Sequence, residues 1–176
     1  MKILVLSTGG TIDAASFAED GEPPVYVSAT DEHLAARTLQ DIATNSAPDI
    51  DLHHNELCNK DSKFINDHDR LNLQRFILTE GPNYQRIIVT IGTDCMTDIA
   101  QDLAQRLHNR VDCPVVFTGA FWPLANIEKS DGPANLRLAL LAEPQASPNI
   151  YIAMNNLFLP CTKIRKDFDK KMFISK

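Results

Sequence analysis

Hydroxyl side chains and glycines crowd a short stretch near the start of the sequence, Ser7-Thr8-Gly9-Gly10-Thr11. Related clusters recur as Lys60-Asp61-Ser62-Lys63, Gly92-Thr93-Asp94 and Gly119-Ala120-Phe121-Trp122-Pro123. Glycine admits positive φ and a close approach of ligand to main chain, which leaves amide N–H groups facing a crevice. A threonine hydroxyl beside such amides suits a nucleophile with an oxyanion site, and Thr11 is the candidate. Thr93 offers a second hydroxyl, and Asp94 a fixed carboxylate able to hold a ligand's ammonium. The plainer alternatives are a glycine turn at Thr11 and a helix cap at Thr93-Asp94. A phosphate loop needs Lys followed by Ser or Thr after its glycines, and a dinucleotide fold needs G-x-G-x-x-G; the chain has neither.

The elements that must position these residues follow from periodicity. Five apolar runs read as strands: KILVLS, the weaker DLHHNEL, RIIVTI, PVVFTG and NIYIAM. Between them, TDEHLAARTLQDIA, NDHDRLNLQRFILTE, MTDIAQDLAQRLHN and GPANLRLALLAE carry helical spacing. Asn66 or Asp67, Thr97 or a neighbour, and Pro133 after Asp131 supply helix-start signals. Strict alternation of strand and helix predicts an α/β fold with a doubly wound, mainly parallel sheet and helices on both faces, a flavodoxin-like three-layer sandwich. Ligands of such sheets bind outside the carboxyl ends of the strands, where all four clusters fall. Residues 16–29 include Gly21, Pro23 and Pro24 and lack any period, which predicts a surface loop long enough to act as a lid.

Composition narrows the function classes. With 176 residues, 44% of them hydrophobic and 23% charged, the sequence predicts one globular domain over residues 1–176 and no apolar run able to span a bilayer. A net charge of -6 with no basic cluster beyond KIRKDFDKK argues against a nucleic-acid partner. Cys58, Cys95, Cys113 and Cys161 form no C-x-x-C pair, so reduced thiols in a cytoplasmic protein are expected. His53-His54 lacks supporting ligands, and neither a metal nor any other cofactor is expected.

The motifs TGGTI (8–12), IGTDCM (91–96), VVFTGAFWP and SDGPANLRLAL, in this order, resemble those of the bacterial-type L-asparaginases, the asparaginase and glutaminase amidohydrolases. The resemblance runs from residue 1 to about residue 166. It implies that Thr11 attacks the side-chain amide carbon of a small amino acid such as L-asparagine, forming an acyl-enzyme and releasing ammonia. It implies further that Tyr26 is brought onto Thr11 by the mobile loop, and that Thr93 assists catalysis, paired with Lys166. It also implies that Ser62 binds the substrate's α-carboxylate and Asp94 its α-ammonium. Backbone amides near Gly10 and Thr93 would stabilise the oxyanion, with Gly92 in the substrate-binding wall.

This chain also departs from the family pattern. Lys63 stands where a small or amide residue is usual after the binding serine, and it can either pair with a substrate carboxylate or fill the pocket. Ile91 replaces a histidine common before GTD. Family members are nearly twice as long, so the sequence is expected to be either a truncated member or, as its start at Met1 favours, a naturally short version without the C-terminal domain. A more open site then predicts weak activity or relaxed specificity, unless a homodimer closes the crevice through residues such as Phe121, Trp122, Phe158 and Leu159. Two competing readings are a non-catalytic amino-acid-binding module and a flavodoxin-like nucleotide binder resting on fold class alone.

Overall fold

A computed structural model describes residues 1–15, 33–107, 110–144 and 150–176. The strands β1 (Lys2–Ser7), β2 (Asp51–Glu56), β3 (Arg86–Thr90), β4 (Val115–Thr118), β5 (Ile150–Met154) and β6 (Leu157–Pro160) form one sheet in the order β2-β1-β3-β4-β5-β6. The first five are parallel, and β6 runs antiparallel to β5. The helices α1 (Leu34–Ser46), α2 (Asp67–Glu80), α3 (Met96–Leu107) and α4 (Gly132–Leu141) alternate with the parallel strands. The predicted doubly wound α/β architecture is therefore the one the chain adopts.

Strand alternation explains how one sheet supports two cores. Leu4, Leu6, Ile87, Val89, Val115 and Phe117 face α2 and α3, where they meet Leu73, Ile77, Ile99 and Leu103. Their neighbours Ile3, Val5, Ile88 and Val116 face α1 and α4, against Leu39, Ala43, Leu136 and Leu140. Successive side chains of a strand point to opposite faces, so a strand covered on both sides reads as a continuous apolar run. Strand β2 is the exception: it lies at the sheet edge and most of its residues are exposed, which is why DLHHNEL is a weak signal.

Local chemistry fixes the helix ends. Asn66 caps α2 in a full capping box with Asp69. Pro133 lies in the first turn of α4, as expected. Helix α3 begins at Met96, which places Thr97 inside its first turn. At the other end of α4, the buried Arg86 side chain donates to the carbonyls of Ala139 (2.9 Å), Leu140 and Ala142 (2.7 Å). A guanidinium placed there satisfies carbonyls that have no partner within the helix.

The segment after β5 departs from the five-strand expectation. Asn155 and Asn156 have φ of 51° and 63°, forming a two-residue hairpin turn into β6. The strands β7 (Ile164–Asp167) and β8 (Met172–Ser175) then pair antiparallel as a separate two-stranded sheet. The basic stretch KIRKDFDKK is largely this hairpin, and its Phe173 is fully buried in the core. Of the aromatic and aliphatic residues proposed for a dimer surface, Phe121, Phe158 and Leu159 are partly buried against the cores, whereas Trp122 is 46% exposed.

Candidate functional site

The two glycines after β1 are required by close packing of three loops. Gly9 and Gly10 both have φ of 90°, a region that side-chain-bearing residues rarely adopt. A Cβ on Gly10 would lie 2.3 Å from the backbone nitrogen of Gly92, and one on Gly9 would lie 2.6 Å from that of Lys60. A Cβ on Gly92 would in turn sit 2.9 Å from Ser62 Oγ. The chain ends of β1 and β3 and the loop after β2 thus meet backbone to backbone at the carboxyl edge of the sheet. Further bonds lock this meeting: Thr8 Oγ1 and Thr8 N donate to Thr90 O, Lys60 N donates to Thr8 O, and Cys95 N donates to Ser62 Oγ at 3.2 Å.

Thr11 opens a single 3-10 turn, Thr11–Asp13, and is half-buried. Asp13, at the end of that turn, is buried and accepts a hydrogen bond from Ala35 N at 2.9 Å, tying the Thr11 turn to the start of α1. Burial raises the Asp13 pKa, against the opposing pull of that backbone bond and of His33. Tyr26 and the predicted lid over residues 16–29 lie outside the described residues.

On the other side of the Gly10–Gly92 contact stand Thr93 and Asp94. Thr93 is buried and Asp94 is partly exposed. Lys166 on β7 donates to Thr93 Oγ1 at 2.9 Å and is ion-paired with Asp94 Oδ1. Its side chain is only 6% exposed, and its ammonium lies over the Phe121 and Phe168 rings at 5.2 and 5.0 Å from their centres. Since the Thr93 oxygen accepts from Lys166, the hydroxyl's own proton is free to point elsewhere. Lys63 Nζ reaches the second Asp94 oxygen, Oδ2, at 2.6 Å. Burial alone would raise the Asp94 pKa; the bonds from Lys166 and Lys63 outweigh it and hold the carboxyl below its ordinary value of 3.8.

A nearby pair shows the same balance: Lys60 binds Asp69 at 2.7 Å, and the Asp69 carboxyl is lowered despite the upward push of desolvation. Carboxyls whose folded-state pKa lies below the unfolded value add stability above that value and lose it as pH falls through the folded one. We therefore expect the stability contributed by these two ion pairs to be lost as pH falls below the ordinary carboxyl range, and Asp69→Asn to lower stability at pH 7 while flattening this acid limb. Denaturant titrations at pH 3 to 7 measure both.

The position of Lys166 depends on residues that sequence reasoning did not single out. Asn135 Nδ2 donates to Gly119 O (3.0 Å) and Asp131 Oδ2 (2.9 Å), and Asn135 Oδ1 accepts from Asn155 N (3.0 Å). Asn155 Oδ1 then accepts from Phe173 N at 2.7 Å, which fixes β8 and with it β7. Asp131 also gathers the amides of Phe121 and Trp122 on Oδ1. The SDGPANL and FTGAFWP segments thus act as a bracket for the hairpin that carries Lys166. The signal available in the sequence was the Asn155-Asn156 pair, a hairpin-turn dipeptide between apolar runs. Replacing Asn135 with alanine removes three hydrogen bonds, the one to Gly119 O fully buried, and is expected to cost about 1–3 kcal/mol; chemical denaturation measures it.

A separate surface depression is lined by Thr8, Cys58, Ile65, Asp69, Asn72 and Ile99, among others, and by none of Thr11, Thr93 or Lys166. Among the described residues no group of His, Cys, Asp and Glu is arranged to hold a metal ion.

Comparison with known proteins supplies the family. A family model described as "Asparaginase, N-terminal" matches residues 2–172. An L-asparaginase of Thermococcus kodakarensis is 32% identical over 166 residues, covering 94% of this chain and 48% of its own length. L-asparaginase 2 of Escherichia coli is 29% identical over 167 residues, covering 93% and 46%. In structure, the thermostable L-asparaginase from Thermococcus kodakarensis superposes with a TM-score of 0.75 at 30% identity, over 99% of this chain and 51% of that one. A probable cytoplasmic L-asparaginase from Campylobacter jejuni gives 0.76 at 27%, over 99% and 52%. The chain spans about half the length of these relatives. With a glycine-framed threonine at the sheet edge and a match across nearly its whole length, the chain belongs to the asparaginase family, whose N-terminal domain it spans.

Proposed function

We propose that the chain is an amidohydrolase that hydrolyses the side-chain amide of a small acid of the asparagine type, with Thr11 as the nucleophile. The observation that supports this reading is that Gly10, which precedes Thr11, packs backbone to backbone on Gly92, which precedes a Thr93 whose oxygen accepts from the buried Lys166. Thr11 Oγ attacks the amide carbon, and amides near Gly10 and Thr93 stabilise the charge on the carbonyl oxygen. The C–N bond breaks as the nitrogen takes up a proton, giving ammonia and an ester on Thr11. Water then attacks that ester and releases the free carboxylic acid, restoring the Thr11 hydroxyl. Thr93, its oxygen engaged by Lys166, is oriented to pass a proton to the reacting groups. Lys166 holds Thr93 and Asp94 in one geometry, Ser62 contributes to the anion-binding wall, and Tyr26 keeps the catalytic part that the family resemblance implies for it.

A cytoplasmic location belongs to the same proposal, supported by four cysteines that are all free thiols and by the Campylobacter jejuni relative's description as probably cytoplasmic. No helix among the described residues is long and apolar enough to cross a membrane. A homodimer is likewise proposed, through the exposed Trp122 and Phe168; sedimentation of the purified chain decides the subunit count. The activity itself is tested by following ammonia from L-asparagine, L-glutamine, their D forms and succinamate. Release from at least one of them supports the reading. Absence of release, with thermal stabilisation by aspartate, would instead favour the amino-acid-binding module.

A further inference from the structure

Asp94 is the carboxylate beside Thr93 at the crevice, and both its oxygens are already taken by lysines of the chain itself. Lys166 holds Oδ1 from the buried side, and Lys63 holds Oδ2 at 2.6 Å from the solvent side, where its own side chain is 60% exposed. The Lys63 backbone is fixed in the 3-10 turn Ser62–Phe64, whose cap Asp61 accepts from Lys63 N at 3.0 Å. The lysine therefore reaches Asp94 from a defined anchor next to Ser62, whose Oγ is held by Cys95 N. A ligand ammonium aimed at Asp94 meets two ammonium groups and must either share Oδ2 with Lys63 against their mutual repulsion or displace it. A ligand carboxylate meets the opposite field, with the exposed Lys63 ammonium at hand.

We infer that Lys63 selects for amides of dicarboxylic acids that lack an α-ammonium, the succinamate class, because it sets a competing ammonium on the outer oxygen of the carboxylate a substrate ammonium would approach. Selectivity of this kind comes from a repulsive element as much as from an attractive one. Lys63 is thus a specificity-determining residue of the Thr11 site, and the substrate class rests on the amidohydrolase reading proposed above. The pairing also raises the Lys63 pKa, chiefly through its hydrogen bond to Asp94, so the ammonium persists across the neutral range.

The test compares kcat/KM for succinamate and L-asparagine in the full chain, in Lys63→Gln and in Lys63→Arg. Wild type is expected to favour succinamate by about tenfold or more, Lys63→Gln to shift the ratio toward L-asparagine by a similar factor, and Lys63→Arg to retain the preference. A wild-type preference for L-asparagine, or a ratio unmoved by Lys63→Gln, overturns the inference. If no amide is turned over, the amidohydrolase reading fails, and calorimetric binding of succinate and L-aspartate decides the inference separately. Tighter binding of succinate that reverses in Lys63→Gln supports it; equal binding, or binding of neither, overturns it.

Discussion

Under the proposed reading, Thr11→Ala is expected to lower ammonia release by about three orders of magnitude or more, the scale seen when a nucleophile is deleted from a site that keeps its other parts. The substitution leaves the loop architecture intact. Thr11 is half-buried at the head of a short 3-10 turn, and that turn is secured elsewhere, by Gly10 against Gly92 and by Asp13 on Ala35 N. The expected stability change is about 1 kcal/mol or less. The dicarboxylate binding proposed above is expected to persist in the variant, because Ser62, Lys63 and Asp94 are untouched. A loss of turnover with retained folding and binding separates a reacting group from a structural one. Parallel measurements of ammonia release, ligand affinity and denaturation midpoint on the same preparation check it.

Gly10→Ala is expected to damage both fold and function, for a geometric reason. Alanine at φ of 90° is strained by about 1–3 kcal/mol before any contact is considered. The added Cβ would also lie 2.3 Å from Gly92 N and 2.5 Å from Gly92 Cα, backbone atoms with no rotamer to yield. The β1 and β3 ends must separate, for a combined cost of about 3 kcal/mol or more. In a domain of this size that corresponds to a fall in Tm of about 6–12 °C. Turnover falls as well, since the amides near Gly10 and Thr93 move relative to Thr11. Gly81→Ala is the control: a Cβ there meets Ile87 at 3.5 Å and Val111 at 3.9 Å, ordinary contacts at a helical φ. It should change stability by about 1 kcal/mol or less. Thermal melts of the two variants beside wild type measure the contrast.

The parallel sheet was legible because its strands are apolar on both faces. Ile3-Leu4-Val5-Leu6 and Ile87-Ile88-Val89 serve two cores at once, so the strand signal is dense. Thr11, Thr93 and Asp94 were legible as candidates for a related reason: in a parallel sheet, the residues that follow the strands gather at one edge. The hairpin of β7 and β8 was not read as strands. Each has four residues, and only Ile164 and Phe173 are buried among charged and exposed neighbours, which is too short a pattern for period-two alternation to stand out. The bond from Lys166 to Thr93 joins residues 73 positions apart, and it depends on the Asn135–Asn155–Phe173 chain that docks the hairpin. Lys63 could be recognised as unusual, but the two open alternatives for it divided on side-chain direction. The Lys63–Asp94 contact is a matter of packing across two loops, which spacing along the chain does not encode.

The most direct measurement of the central claim is the mass of the Thr11-containing peptide after acid quench during turnover of an amide substrate. A Thr11 nucleophile yields a transient adduct of acyl mass on that peptide, which is absent in Thr11→Ala and decays as the free acid appears. Ammonia release that proceeds at the wild-type rate in Thr11→Ala, with the peptide never modified, would contradict it.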